Sequence, residues 1–202
     1  FKIVVVKNKA TLNRRDVVAK ILSDRNQTLV VSGLGSSTWD VAAVGDNPNN
    51  FYLWGGMGGA AVLGLGLALA QPERRVLVIT GDGEMLLGLG SLATIAVAAP
   101  ANLAVLVIDN EHYGETGMQE SHTASGVDLV GMASAAGWPK STCAWTESDM
   151  NTLAPVIYHA PGPVFAAVKV ICKSVPLELP IRHGSALSVR FRQALLGDNA
   201  FE

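Results

Sequence analysis

A chain of 202 residues, 49% hydrophobic and 16% charged, can bury one sizeable core, and a net charge of −2 argues against nucleic acid or an anionic membrane as partner. No uninterrupted apolar stretch reaches the length of a transmembrane helix, because glycines, Gln71, Pro72 and charges break every candidate. Cys143 and Cys172, the whole cysteine content, are too few and too far apart for a zinc or iron–sulfur framework and read as two buried small hydrophobes.

In chain order, Leu12 to Leu22 reads as a helix with a polar start at Thr11 or Asn13, followed by a short strand from Thr28 to Ser32. Gly33 to Ser37 is a turn, Thr38 to Val44 a helix, Asp46 to Asn50 a loop and Phe51 to Leu53 a short strand. Gly58 to Ala70 is a small-residue helix in which Gly64 and Gly66 should permit close packing. A strand from Arg75 to Thr80, a helix from Glu84 to Val97 and a strand from Leu103 to Ile108 come next. Asn110 to Val127 is a long polar loop, and loops of that length inside compact domains tend to be functional. Asp128 should cap a helix running to Ala136. Thr142 to Trp145 is a weak strand, Glu147 to His159 a helix, Val164 to Ile171 a strong strand, Pro176 to Ser185 irregular, and Leu187 to Leu196 a final helix. The alternation predicts an α/β fold, a doubly wound parallel sheet with helices on both faces, and ligands beyond the carboxyl ends of its strands.

Gly81-Asp82-Gly83 follows one apolar run, and Asp109-Asn110 ends the next. The interval suits strand, glycine turn, crossover helix, strand, which puts Asp82 and Asn110 at the same end of two parallel strands. A carboxylate and an amide oxygen beside a helix start can serve Mg2+ and a diphosphate together, since hard cations take oxygen ligands and phosphates take backbone N–H groups. Gly81 and Gly83 let the backbone come close. Taken singly, Asp82 could be a helix cap and Asn110 a strand end. Gly55-Gly56-Met57-Gly58 lacks the clean spacing of a dinucleotide-binding loop.

The Gly-Asp-Gly…Asn pattern resembles the diphosphate-binding signature of thiamine diphosphate (ThDP) enzymes. Trp54-Gly55-Gly56-Met57-Gly58-Gly59-Ala60 before it strengthens the likeness, as does Asp109-Asn110-Glu111-His112-Tyr113-Gly114-Glu115-Thr116-Gly117-Met118-Gln119 after it. The second string is similar to the DN-x-x-Y-G-S-T-G-x-Q segment of the sulfopyruvate and phosphonopyruvate decarboxylases, in their diphosphate (PP) domain or beta subunit. The resemblance runs from about Asn13 to Leu196.

That resemblance implies ThDP and Mg2+ as cofactors, with Asp82, Asn110 and the backbone carbonyl of His112 as metal ligands. It implies that Gly83 and Glu84 offer N–H groups to the diphosphate, and that Gly35, Ser36 and Ser37 hold its distal phosphate. Met57 would wedge between the cofactor rings, Gly55 would accept a hydrogen bond from the pyrimidine amino group, and Gly56, Gly81, Tyr113 and Gly114 would line the cofactor. Met57, Tyr113 and His112 are the residues placed nearest the chemistry. Glu84 stands where many relatives have Ser, and its carboxylate is expected to point away or to meet a helix N-terminus. Glu115 also replaces a usual Ser. His112, Tyr113, Glu115, Gln119 and His122 line the long loop, while Lys173, Arg182 and His183 read better as solvated surface than as an anion site.

The implied reaction is decarboxylation of a short 2-oxo acid with an anionic end, such as sulfopyruvate or phosphonopyruvate, to an aldehyde and CO2. Another ThDP enzyme subunit, such as an acetolactate-synthase-like carboligase, and a non-catalytic ThDP-binding regulatory subunit are the alternatives. The scarcity of cysteine speaks against the ferredoxin-linked branch. In the family an activating glutamate lies on a separate pyrimidine-binding (PYR) domain. Residues 1–202 are expected to be one PP domain, so a PYR-domain, alpha-type partner chain is expected to supply that acid in a hetero-oligomer whose interface accounts for the apolar excess. With no signal peptide evident, a cytoplasmic location is expected. Phe1 at the start suggests a trimmed chain or part of a longer product.

Overall fold

The computed structural model describes residues 10–201; Phe1 lies outside them. Six strands form one parallel sheet in the order β2-β1-β3-β4-β8-β7. They are β1 (Leu29–Ser32), β2 (Asn50–Tyr52), β3 (Val76–Gly81), β4 (Leu103–Asp109), β7 (Lys140–Ala144) and β8 (Val164–Lys169). The four central strands are apolar on both sides because both faces of the sheet are covered. Leu77, Ile79, Leu106, Val164 and Ala166 point to one face, under α1 (Arg14–Leu22), α2 (Ser36–Ala43) and α7 (Glu147–His159). Val76, Val78, Val105 and Phe165 point to the other, under α3 (Ala60–Ala70), α5 (Ser91–Ala98) and α6 (Leu129–Ala135). The doubly wound sheet expected from the alternation is therefore present.

The strand order positions the site. After β1 the chain moves outward to β2, then returns to place β3 on the other side of β1. The loops leaving β1 and β3 thus diverge, which opens a crevice at the carboxyl edge. The register pairs Ser32 with Ile79 and Gly81 with Ile108, so Gly33–Ser37, Gly81–Gly83 and Asn110 emerge at that one edge.

Local chemistry explains several boundaries. Asp128 caps α6 by accepting from the Gly131 N–H at 2.9 Å, as its position suggested. Thr146 and Asp149 form a reciprocal capping box at the start of α7. Gly64 lets α3 lie directly on the sheet, since a Cβ there would overlap Val78 Cγ2. Gly66 has no such role; its Cβ direction is open.

Four expectations require correction. The helix from Glu84 to Val97 is two helices, α4 (Asp82–Leu87) and α5, because the chain bends at Gly88 to rest against the Gly58 carbonyl, where no side chain fits. The loop from Asn110 to Val127 is not irregular: β5 (His112–Tyr113) and β6 (Gln119–Glu120) pair as an antiparallel hairpin, followed by a 3-10 turn at His122–Ser125. Left-handed Glu111 and Met118, which no propensity rule favours, turn the backbone there. Cys143 is half-buried and Cys172 is exposed, so the two are not both core residues. The final helix, α8 (Gly184–Leu196), also begins earlier than the apolar pattern indicated.

Candidate functional site

An open cleft lies over the crevice between β1 and β3. Of the residues singled out in the sequence, Ser36, Ser37, Met57, Gly81, Asp82, Gly83, Glu84, Asn110, His112, Tyr113 and Gly114 all line it. They come from four separate stretches of chain, gathered because each follows a strand end or opens a helix at the same edge.

Asp82 is 2% exposed. Its Oδ2 accepts hydrogen bonds from Ser121 Oγ and, at 3.3 Å, from Thr123 Oγ1. Thr123 Oγ1 also donates to Asp109 Oδ1 at 2.8 Å. Among the described residues no cationic side chain pairs with Asp82, so hydroxyls alone hold its carboxylate. Burial, reinforced by the nearby Asp109 charge, pushes its pKa up to about 6. Asp109 is provided for differently: its other oxygen meets Lys169 Nζ at 2.8 Å, and that ammonium also reaches Glu111 at 2.8 Å. Burial works against the Lys169 charge, but its hydrogen bonds to Asp109 and Glu111 outweigh that and hold its pKa above the ordinary value.

Glu84, buried at the start of α4, does not offer its carboxylate to the cleft. Oε2 accepts from Thr80 Oγ1 at 2.7 Å and from the Leu34 N–H at 3.0 Å, and Oε1 accepts from the Ala60 N–H at 3.3 Å. The side chain ties the loop after β1 to the first residue of α3. It meets a helix N-terminus, as expected, but that of α3 rather than its own. Burial raises its pKa, with those hydrogen bonds opposing the rise. Gly33 must be glycine, since a Cβ there would overlap this carboxylate.

Asn110 ends β4 with its Oδ1 accepting from the His112 N–H at 3.0 Å, and the His112 ring lies 2.9 Å from the Asn110 carbonyl. The hairpin then carries Tyr113 across the Gly-Asp-Gly turn. A Cβ on Gly83 would overlap the Tyr113 ring, so this glycine admits an aromatic lid as well as a ligand. The Tyr113 hydroxyl sits 3.3 Å from His122 Nδ1. His122 and Gln119 are exposed and do not line the cleft, nor do the exposed Lys173, Arg182 and His183.

Met57 lines the cleft and is 41% exposed, whereas Gly55 and Gly56 in front of it do not line it. Gly35 is set back too; it is the N-cap of α2, with φ of 73°, and Glu115 lies across it. Ser36 and Ser37 open α2.

Arg14, Leu34, Ile108, Glu115 and Thr116 also line the cleft but gave no signal as lining residues in the sequence. Glu115 had been noted as a departure and as a residue of the long loop; it accepts from Trp39 Nε1 at 3.3 Å and so fastens the hairpin to α2. Arg14 belongs to α1, far along the chain from every motif, and only the packing of α1 on α2 brings it in.

The cleft suits a Mg2+–diphosphate group. The available donors are a buried carboxylate without a cation, an amide oxygen and a backbone carbonyl, all oxygen. No cluster of three His, Cys, Asp or Glu side chains able to hold a metal occurs among the described residues. At Gly81 a Cβ would meet nothing nearer than Ser37 Oγ at 4.0 Å, so the turn faces open space.

Comparison with known proteins identifies the family. Residues 33–168 match the thiamine pyrophosphate enzyme family in its C-terminal TPP-binding domain. The sulfopyruvate decarboxylase beta subunit of Methanothermobacter thermautotrophicus is 38% identical over 159 residues, covering 79% of this chain and 82% of that subunit. The corresponding subunit of Methanocaldococcus jannaschii is 41% identical over 125 residues, 61% of this chain and 66% of the subunit. Phosphonopyruvate decarboxylase of Streptomyces hygroscopicus is 38% identical over 156 residues; the match covers 77% of this chain but only 36% of that longer protein. A solved structure from Mycobacterium smegmatis, of an enzyme assigned as thiamin diphosphate-dependent, superposes with a TM-score of 0.68 at 19% identity, over 80% of this chain and 32% of the other, and so speaks for the fold alone.

Proposed function

The chain belongs to the thiamine pyrophosphate enzymes through their C-terminal TPP-binding domain, and on that footing we propose that it is the diphosphate-holding, beta-type subunit of a ThDP- and Mg2+-dependent 2-oxo acid decarboxylase. Its substrate is a short 2-oxo acid with an anionic end, sulfopyruvate or phosphonopyruvate, and its products are an aldehyde and CO2. The observation that carries this reading is Asp82: a buried carboxylate that meets no cationic side chain among the described residues, at the switch point of a parallel sheet, within the Gly-Asp-Gly turn and beside Asn110.

In this reading Asp82, Asn110 and the His112 carbonyl hold Mg2+. Backbone N–H groups of Gly83 and Glu84, with Ser36 and Ser37, hold the diphosphate. Bound ThDP supplies an electron sink for the bond that breaks as CO2 leaves. Met57 fixes the bend of the cofactor, and Tyr113 and His112 on the hairpin cover it and exclude water. The described residues constitute a PP domain, and a PYR-domain partner contributes the activating glutamate to a site shared between chains in the cytoplasm. No helix among the described residues is long and apolar enough to cross a membrane.

The test is co-expression with a PYR-domain, alpha-type chain, followed by assay of CO2 release from a panel of 2-oxo acids with ThDP and Mg2+. The assembled pair should turn over sulfopyruvate or phosphonopyruvate, and the isolated chain should show at most a trace, because acid–base assistance contributes typically about 10²–10⁴-fold. Robust turnover by the isolated chain would overturn the shared site. No turnover of any 2-oxo acid by the pair would overturn the decarboxylase.

A further inference from the structure

The cleft contains a cation that the Gly-Asp-Gly motif does not account for. Arg14 is 6% exposed, yet it lines the cleft beside Ser36 and Ser37. Its Nη1 donates to Asp40 Oδ2 at 2.6 Å and to the Ser36 carbonyl at 3.0 Å. Among the described residues, Nε and Nη2 have no partner. Asp40, fully buried, also accepts from Arg15 Nε at 3.2 Å, so the trio keeps one positive charge in excess. That anchoring fixes the guanidinium while leaving one edge of its fork free, the arrangement in which arginine recognises an oxyanion.

The neighbouring helix points to the same ligand. The eight-residue α2 has no side-chain cap on its N-terminus and no acidic residue in its first turn, so its leading N–H groups are unpaired by side chains. The positions a Cβ would take on Gly114 and Gly81 lie 3.5 Å from Ser36 Oγ and 4.0 Å from Ser37 Oγ, so both hydroxyls stand between the hairpin and the turn after β3. We propose that Arg14, clamped by Asp40 beside the uncapped N-terminus of α2, binds the terminal phosphate of the cofactor diphosphate through its Nε–Nη2 edge. This rests on the reading of the cleft as a ThDP site. Glu115 on the hairpin also lines the cleft, near enough for its charge to favour that of the same guanidinium.

Thiamine monophosphate lacks the terminal phosphate and so isolates the contribution. In the full chain with Mg2+, quenching of Trp39 and Trp54 fluorescence should report ThDP binding well ahead of thiamine monophosphate. Arg14→Gln should weaken ThDP by roughly 10- to 100-fold, the loss expected for a hydrogen-bonded charge pair, and leave thiamine monophosphate unchanged. Arg14→Lys should recover only part of the difference. The double variant Arg14→Gln/Asp40→Asn removes the stranded carboxylate and should show the same loss of discrimination. Equal ThDP affinity in Arg14→Gln, equal weakening of both esters, or full recovery in the double variant would each overturn the assignment. So would unchanged ThDP affinity accompanied by a raised KM for the phosphonate or sulfonate substrate, which would move Arg14 to the substrate. A wild-type chain that binds neither ester would overturn the ThDP reading itself, an outcome distinct from these.

Discussion

The two ends of the same six strands are built oppositely. At the amino end, cationic and amide side chains are spent on the protein's own carbonyls. Asn102 Nδ2 donates to Ala68, Gln71 and Arg74 carbonyls at 3.1, 2.9 and 2.8 Å, closing the end of α3. Arg75 reaches the Ala160 carbonyl, at the end of α7, at 3.0 Å, and Arg74 reaches Gln27 at 3.1 Å. Helix carboxyl ends collect there, and positive or donor groups complement their partial negative charge. At the carboxyl end, Asp82 has only hydroxyls, Arg14 keeps half its fork free, and α2 lacks a side-chain cap. One end directs its donors mainly at the protein's own carbonyls, although Arg75 Nε and Nη2 stay buried there without a partner; the other presents a carboxylate without a cationic partner among the described residues and an arginine edge to an open cleft, and is the end ready for a ligand.

Substitutions at the two ends should separate affinity from stability. The largest effect is expected for Asp82→Ala: ThDP retention in the assembled complex should fall by more than about 100-fold, since even outer partners of metal ligands commonly cost 10–100-fold. Thermal melting should show no loss, because the carboxylate removed is buried without a counter-charge. Chelation of Mg2+ should reproduce the affinity loss in the wild type. Unchanged calorimetric ThDP affinity in the variant would falsify the metal assignment.

Asn102→Ala should do the reverse. It removes the donor shared by the Ala68, Gln71 and Arg74 carbonyls and should lower unfolding free energy by roughly 1–3 kcal/mol, read by chemical denaturation, with ThDP affinity intact; a drop in affinity without a change in stability would erase the contrast between the ends. Met57→Ala is expected to keep ThDP bound but to slow proton exchange at the thiazolium C2 by about tenfold, equivalent to roughly 1.4 kcal/mol of barrier. Exchange at the wild-type rate would remove Met57 from the cofactor bend. The smallest effect belongs to Glu115→Ser. Removing an exposed carboxylate from the phosphate end should tighten ThDP a few-fold, in keeping with about 0.2–1 kcal/mol for exposed charge pairs, and titration in low salt should show it most clearly.

Part of this contrast is legible in the sequence. The apolar runs at Val76–Ile79 and Leu103–Ile108 and the glycines after them specify buried parallel strands and a tight turn, because burial on both faces demands continuous apolar residues and a close backbone approach demands glycine. The same local rules place Asp82 and Asn110 at one edge and cap α6 with Asp128, while the family resemblance is what assigns Ser36 and Met57 to the cofactor site there. Tertiary structure decided what depends on distant partners. The break at Gly88 exists because the Gly58 carbonyl lies against it, the hairpin at His112–Glu120 because Glu111 and Met118 turn left-handed and Glu115 reaches Trp39, and the aim of Glu84 because Leu34 and Ala60 present their N–H groups to it. Arg14 is the extreme case. Its role follows from Asp40, Ser36 and the packing of α1 on α2, contacts 22 to 26 residues apart in sequence, and no periodicity or motif within α1 encodes them.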